Sequence, residues 1–176
     1  MRWVSFIILA CIGIVLQTTV AHRLQINHIG PDLMFIIAVH YALHASSPDA
    51  MISAWLLGFA TDLFGPGQLG VFAFAYGLVA LLVVQLRDSM FRDHPYTSLF
   101  TTLICAWMVH MMAGAHFLLS HPQAHRGILD VLLHATYTAM YTAALGPHLH
   151  WLLGRFRGPL GLVSTGRMRR LGRSHV

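Results

Sequence analysis

The sequence predicts an all-α integral membrane protein: a six-helix transmembrane bundle over residues 1–153, then a basic tail at 154–176. Three observations predict it. The 176 residues are 56% hydrophobic and only 10% charged, whereas a soluble domain carries about 25% charged residues. Mean hydropathy is +0.64. The apolar residues form continuous segments near the roughly 20 residues a helix needs to cross a bilayer, without the every-second-residue alternation of a transmembrane barrel.

The first span covers 3–21. Its apolar stretch exceeds the roughly 7–15 residues of a signal-peptide core and no convincing Ala-x-Ala site follows, so it is expected to be retained. The second, 30–45, opens on Gly30-Pro31-Asp32. Proline leaves no amide unpaired in a first turn, and a carboxylate there meets the positive end of the helix dipole. The apolar run from Leu33 to Ala45 is short for a span. Either it extends backward across 26–30 or its neighbours bury it. Ser46-Ser47-Pro48-Asp49 is a restart signal of cap, first-turn proline and acid. The third span is therefore 48–64, stopped by Gly65-Pro66-Gly67, and the fourth is 69–86.

The polar stretch from Arg87 to Pro95 reads as a water-exposed loop before the fifth span, 96–119. A loop from His121 to Arg126 leads to the sixth, 128–153, which Gly146-Pro147 is expected to kink. The Arg- and Gly-rich tail is expected to lack a packed core.

All eleven basic residues are Arg and all six acids are Asp. With the N-terminus inside, the inner side holds Arg2, Arg87, Arg92 and the six Arg from Arg155 onward; the outer side holds Arg23 and Arg126. The positive-inside rule therefore puts both termini in the cytoplasm. No aromatic or Gly-rich RNA-binding pattern accompanies the tail, so anionic lipid is its expected partner and nucleic acid is not. Cys11 and Cys105 fall inside apolar segments and read as small buried hydrophobes.

The chain carries no sign of an enzyme. Gly65, Gly67 and Gly70 lack the Lys-Ser/Thr of a phosphate loop, and there is no Gly-x-Ser-x-Gly elbow. His40 and His44 share a helix face, and His110, His116 and His134 lie within spans. Without Cys-x-x-Cys-His, His-Glu-x-x-His or an acidic cluster, they are expected to bond within the bundle or lie at interfaces, holding no metal or cofactor.

With this orientation the polar residues gather on the outer side: Gln17, Arg23, Asp32 and Asp62, with Arg126 and Asp130 further along the chain. Asp32 is expected near the outer boundary as a helix cap. Asp62 is the costly one, a carboxylate at a helix C-terminus, where the dipole disfavours negative charge. Arg23, the amides of the following glycine turn, or protonation would have to compensate it. It is either a cap for its own turn or part of a buried polar site. In the sixth span Ala135, Ala139 and Ala143, followed by Gly146, form a small-residue stripe. The stripe serves packing within the bundle or docking of another protein's helix.

An ordered set of motifs runs through this half of the chain. Gln17 lies near the outer end of the first span, Pro31-Asp32-Leu33 opens the second, and Gly58-Phe59-x-x-Asp62-Leu63 closes the third, with Leu69-Gly70 before the fourth. Over residues 14–86 this resembles the rod-shape-determining MreD family. The resemblance implies a non-enzymatic protein of the bacterial inner membrane. It would work in cell-wall elongation with the single-span MreC, the actin-like MreB, RodA and a class B penicillin-binding protein. It also implies a fold similar to the six-helix substrate-capturing subunits of energy-coupling-factor transporters. Two functions follow: a scaffold whose outer-side set, with Arg23, Phe59 and Gly70, receives an MreC-like partner, or a vitamin-capturing transporter subunit with an outward pocket.

Overall fold

The computed structural model describes residues 3–21, 23–25, 29–65, 68–86, 95–121 and 127–155. The loops around 87–94 and 122–126, with Arg126, and the tail beyond 155 lie outside the described residues, as do Pro66 and Gly67. The described residues form six α-helices: α1 Trp3–Leu16, α2 Leu33–His44, α3 Ser47–Phe64, α4 Val71–Leu86, α5 Pro95–Ser120 and α6 Ile128–Arg155. A π-helical turn, Gln17–Ala21, prolongs α1. Three helical stretches are long and apolar enough to cross a membrane: Trp3–Ala21, Leu99–Ser120 and Ile128–Arg155. Leu33–His44 and Val71–Leu86 are apolar but shorter.

The bundle is built around α2. Its 12 residues span about 18 Å, and every one from Leu33 to Leu43 is buried. A helix buried on every side lies in the core, away from any lipid or water boundary. The short second segment is thus encased by its neighbours; it does not extend backward, since Gly30, Pro31 and Asp32 are non-helical. Tyr41, Phe35, Met34 and Ile36 are among the largest fully buried side chains. On α1 the contact face is narrow: Phe6 meets Tyr41 edge-on at 5.2 Å, and a Cβ on Gly13 would lie 2.9 Å from Ile37.

The remaining surface of α1 points outward. Val4, Ile7, Ile8, Ile12 and Val15 are all exposed, and Cys11 lies among them, so the expectation of two buried cysteines holds only for Cys105. Its periodicity gave no warning, because α1 is apolar on both its packed and its open faces. Exposed Trp55, Phe64, Phe74, Ile104 and Leu133 continue an apolar exterior around the bundle, far beyond the patches soluble monomers carry.

α2 and α6 run parallel in a fixed register. The Asp32 amide donates to Thr142 Oγ1 at 3.0 Å, and eight residues further on His40 Nδ1 lies 3.1 Å from His150 Nδ1. α6 remains helical through Pro147. Ala135, Ala139 and Ala143 are buried inside the bundle, and a Cβ on Gly146 would touch Thr102 of α5 at 3.4 Å. The stripe is a close-packing seam. Ala139→Leu should overpack it and cost about 1–3 kcal/mol, while Ala144→Leu on the exposed face of the same helix should change stability by less than about 0.5 kcal/mol. Thermal unfolding of the two purified variants in detergent checks the difference.

Candidate functional site

Two clamps organise the end of the bundle where α1 and α3 finish and α4 begins. The first fixes the start of α2. A helix N-terminus leaves its first amides without intrahelical partners, and here Asp32 and Leu33 are buried. Asp32 Oδ1 accepts from the Phe35 amide at 3.0 Å. Gln17 Oε1 accepts from the Leu33 amide at 2.8 Å, and its Nε2 donates to the Pro31 carbonyl at 3.2 Å. Gln17 therefore ties the end of α1 to both sides of the Asp32 cap. Tyr76 of α4 donates its hydroxyl to Asp32 Oδ2 at 2.5 Å, and Thr142 of α6 accepts from the Asp32 amide.

These partners place Asp32 deep. Thr142 is near the middle of α6, and His110, whose Nε2 lies 3.8 Å from Asp32 Oδ2, is past the middle of α5. Asp32 is thus buried within the bundle, beside the end of α1 and the second turn of α4 and partway along α5 and α6.

The second clamp joins α3 to α4. Asp62 accepts three main-chain amides: Gly70 at 3.0 Å, Phe72 at 3.0 Å and Ala73 at 2.9 Å. These are first-turn amides of α4, so the positive end of that helix offsets the unfavourable dipole at the end of α3. Gly58 makes the approach possible: a Cβ there would sit 2.4 Å from the Phe72 carbonyl oxygen and 2.8 Å from Ala73 Cα. Gly70 turns the chain at φ +97, a conformation glycine adopts without strain. The motif residues Gly58, Asp62 and Gly70 form one device. Phe59 is outside it, exposed and stacked on Trp55 at 5.7 Å. Arg23 is exposed; of the three compensations open for Asp62, main-chain amides beyond the turn are the ones present.

Above the start of α2 lies a cavity of about 530 Å³. Asp32 and Pro31 form its floor, Gln17 and Thr18 of α1 one side, and Thr61 and Phe64 of α3 another. Phe72 of α4, His110 of α5 and His134 and Thr138 of α6 complete it. His110 Nε2 and Thr138 Oγ1 are buried without a hydrogen-bond partner. Tyr76, His110, Thr138 and Thr142 were not identified from sequence as parts of a site. The one available signal was polar residues inside otherwise apolar segments, which is shared by His40, Thr101 and others. Among the described residues no group of three His, Cys, Asp or Glu could hold a metal ion. His40 and His150, at the opposite end of α2, stack at 5.4 Å, and His150 Nε2 lies 3.3 Å from Thr102 Oγ1.

The second clamp is open to direct measurement. Asp62→Ala leaves three first-turn amides without their acceptor and should cost about 2–4 kcal/mol. Gly58→Ala forces α4 away from α3 and should cost about 1–3 kcal/mol. Both break the same contact, so the double variant should lose clearly less than the sum in a thermal or denaturant cycle. Strict additivity would mean that the two residues act separately.

No curated protein and no solved structure matches the chain. The model of the family described as rod shape-determining protein MreD matches residues 1–151, and the chain, with its Gln17–Asp32 and Gly58–Asp62–Gly70 clamps, belongs to that family.

Proposed function

We propose that this chain is a non-enzymatic scaffold of the bacterial cell-wall elongation machinery, controlling cell shape by binding an MreC-like single-span protein. Membership of the family carries the general role in rod-shape determination. The proposal extends it to a multi-pass protein of the inner membrane, with six spans, both termini cytoplasmic and the Asp62 end outward. The Arg distribution supports this orientation. MreB, RodA and a class B penicillin-binding protein are the further members of the assembly, and the Arg tail contacts anionic lipid.

The site geometry supports a frame more than a reacting centre. Gln17 and Asp62 have their polar atoms occupied by main-chain groups. In this reading Gln17, Pro31, Asp32, Gly58, Asp62 and Gly70 stiffen the turns, and exposed Arg23 and Phe59 present the contact to the partner. The second reading, a vitamin-capturing transporter subunit of similar six-helix fold, draws support from the cavity. It loses support from the Ala135–Ala143 stripe, which is buried within the bundle and so is not free to dock a transporter scaffold.

Co-purification from native membranes tests the scaffold. Phe59→Ala should reduce recovery of the MreC-like protein several-fold with no change in thermal stability, and Asp62→Ala should reduce it while also lowering stability. Cells carrying either variant alone should lose their rod shape. Rods of normal width with the pair recovered intact from both variants would remove this assignment of the site.

A further inference from the structure

The cavity over α2 has a chemistry of its own, whether or not the protein is a scaffold. Its floor is a carboxylate that sits at a helix N-terminus. The dipole there is worth roughly half a positive charge, so Asp32 leaves the floor net negative. Among the described residues no Arg or Lys lines the cavity, and Arg23, the described basic residue nearest Asp32 in sequence, is exposed. An anionic ligand would meet an uncompensated carboxylate in a site of low dielectric, which is strongly unfavourable.

The residues lining the cavity carry polar atoms able to accept hydrogen bonds. Asp32 is 5% exposed. Its Oδ2 takes one bond from Tyr76 and retains a further lone pair. His110 Nε2, 3.8 Å from that oxygen, and Thr138 Oγ1 have no partner. A primary ammonium has three donors and no acceptor, so it can neutralise the floor at Asp32 and, on rotation of the buried His110 and Thr138 side chains, bond to them as well. Phe64 and Phe72 add aromatic surface to the walls, and Ile14 and Met34 add aliphatic surface. An aromatic face beside a cation contributes further attraction. A volume of about 530 Å³ lies within the range of small-molecule sites.

We propose that this cavity binds a small organic cation, a protonated amine on an apolar or aromatic body, with Asp32 as its counter-ion and His110 and Thr138 as secondary acceptors. The site requires only the folded chain, so its test is independent of the partner complex.

Tryptamine, tryptophol and indole-3-propionate share a body of similar size and carry a cationic, a neutral and an anionic head. Each is titrated calorimetrically into the full-length protein in nanodiscs of phosphatidylcholine, a lipid without net charge. Tryptamine should bind at least about tenfold more tightly than tryptophol, and indole-3-propionate should not bind. Asp32→Asn preserves the helix cap and should bring tryptamine down to the tryptophol level. Thr138→Val, nearly isosteric, should weaken tryptamine several-fold with an unchanged unfolding temperature. Equal binding of all three heads overturns the proposal, as does binding of none at millimolar concentration, or wild-type affinity for tryptamine in both variants.

Discussion

The architecture depends on satisfying a helix N-terminus inside an apolar bundle. Each unpaired amide buried there would cost on the order of a few kcal/mol, and α2 begins among buried residues. The groups that solve this come from elsewhere in the chain: Gln17 from α1, Tyr76 from α4 and Thr142 from α6, with Asp32 itself as the cap. Three helices are therefore positioned by the needs of a fourth. The parallel register of α2 and α6 follows, since the bond at Asp32 and Thr142 sets the meeting of His40 and His150 two turns below.

The same solution appears a second time with the roles exchanged. Asp32 caps its own helix, whereas Asp62 caps the next one. In both places a carboxylate that would be expensive in an apolar setting is matched to amides that would be expensive alone. The two clamps also share an element. α4 gives its first amides to Asp62 and, one turn later, the Tyr76 hydroxyl to Asp32. Gly58 is what lets α4 lie close enough to α3 for the first of these contacts, so a hydrogen at one Cα position supports both.

Much of the helix order was legible in the sequence, because the breaks are written in residues with strong local preferences. Ser46-Ser47-Pro48-Asp49 restarts the chain at α3, but the Ser46 hydroxyl does not cap a main-chain amide; it donates to the Asp49 carboxylate at 2.7 Å. Gly70 marks the turn into α4. The polar residues of the two clamps could be named, since a lone Asp or Gln in an apolar segment stands out. Their depth and partners could not. Hydropathy does not distinguish a helix face that meets lipid from one that meets another helix; only the shortness of the second apolar run raised the alternative that α2 is encased, and nothing marked α1 as open on most of its surface. That missing distinction also hid Tyr76, His110 and Thr138, which acquire meaning only once α2 is known to stop short.

The cavity and the frame are consequences of one feature. Because α2 starts partway along α5 and α6, the space above it is bounded by residues of α1, α3, α4, α5 and α6 and floored by the residue that holds them together. A charge brought against Asp32 acts on the oxygen that Tyr76 bonds, and through Tyr76 on the helix whose first turn Asp62 holds. The turn between α3 and α4 is thus connected to the cavity floor by two hydrogen-bonded carboxylates and a single helix turn. In a fold of this kind the occupancy of the interior and the rigidity of the outer turns are set by the same few atoms.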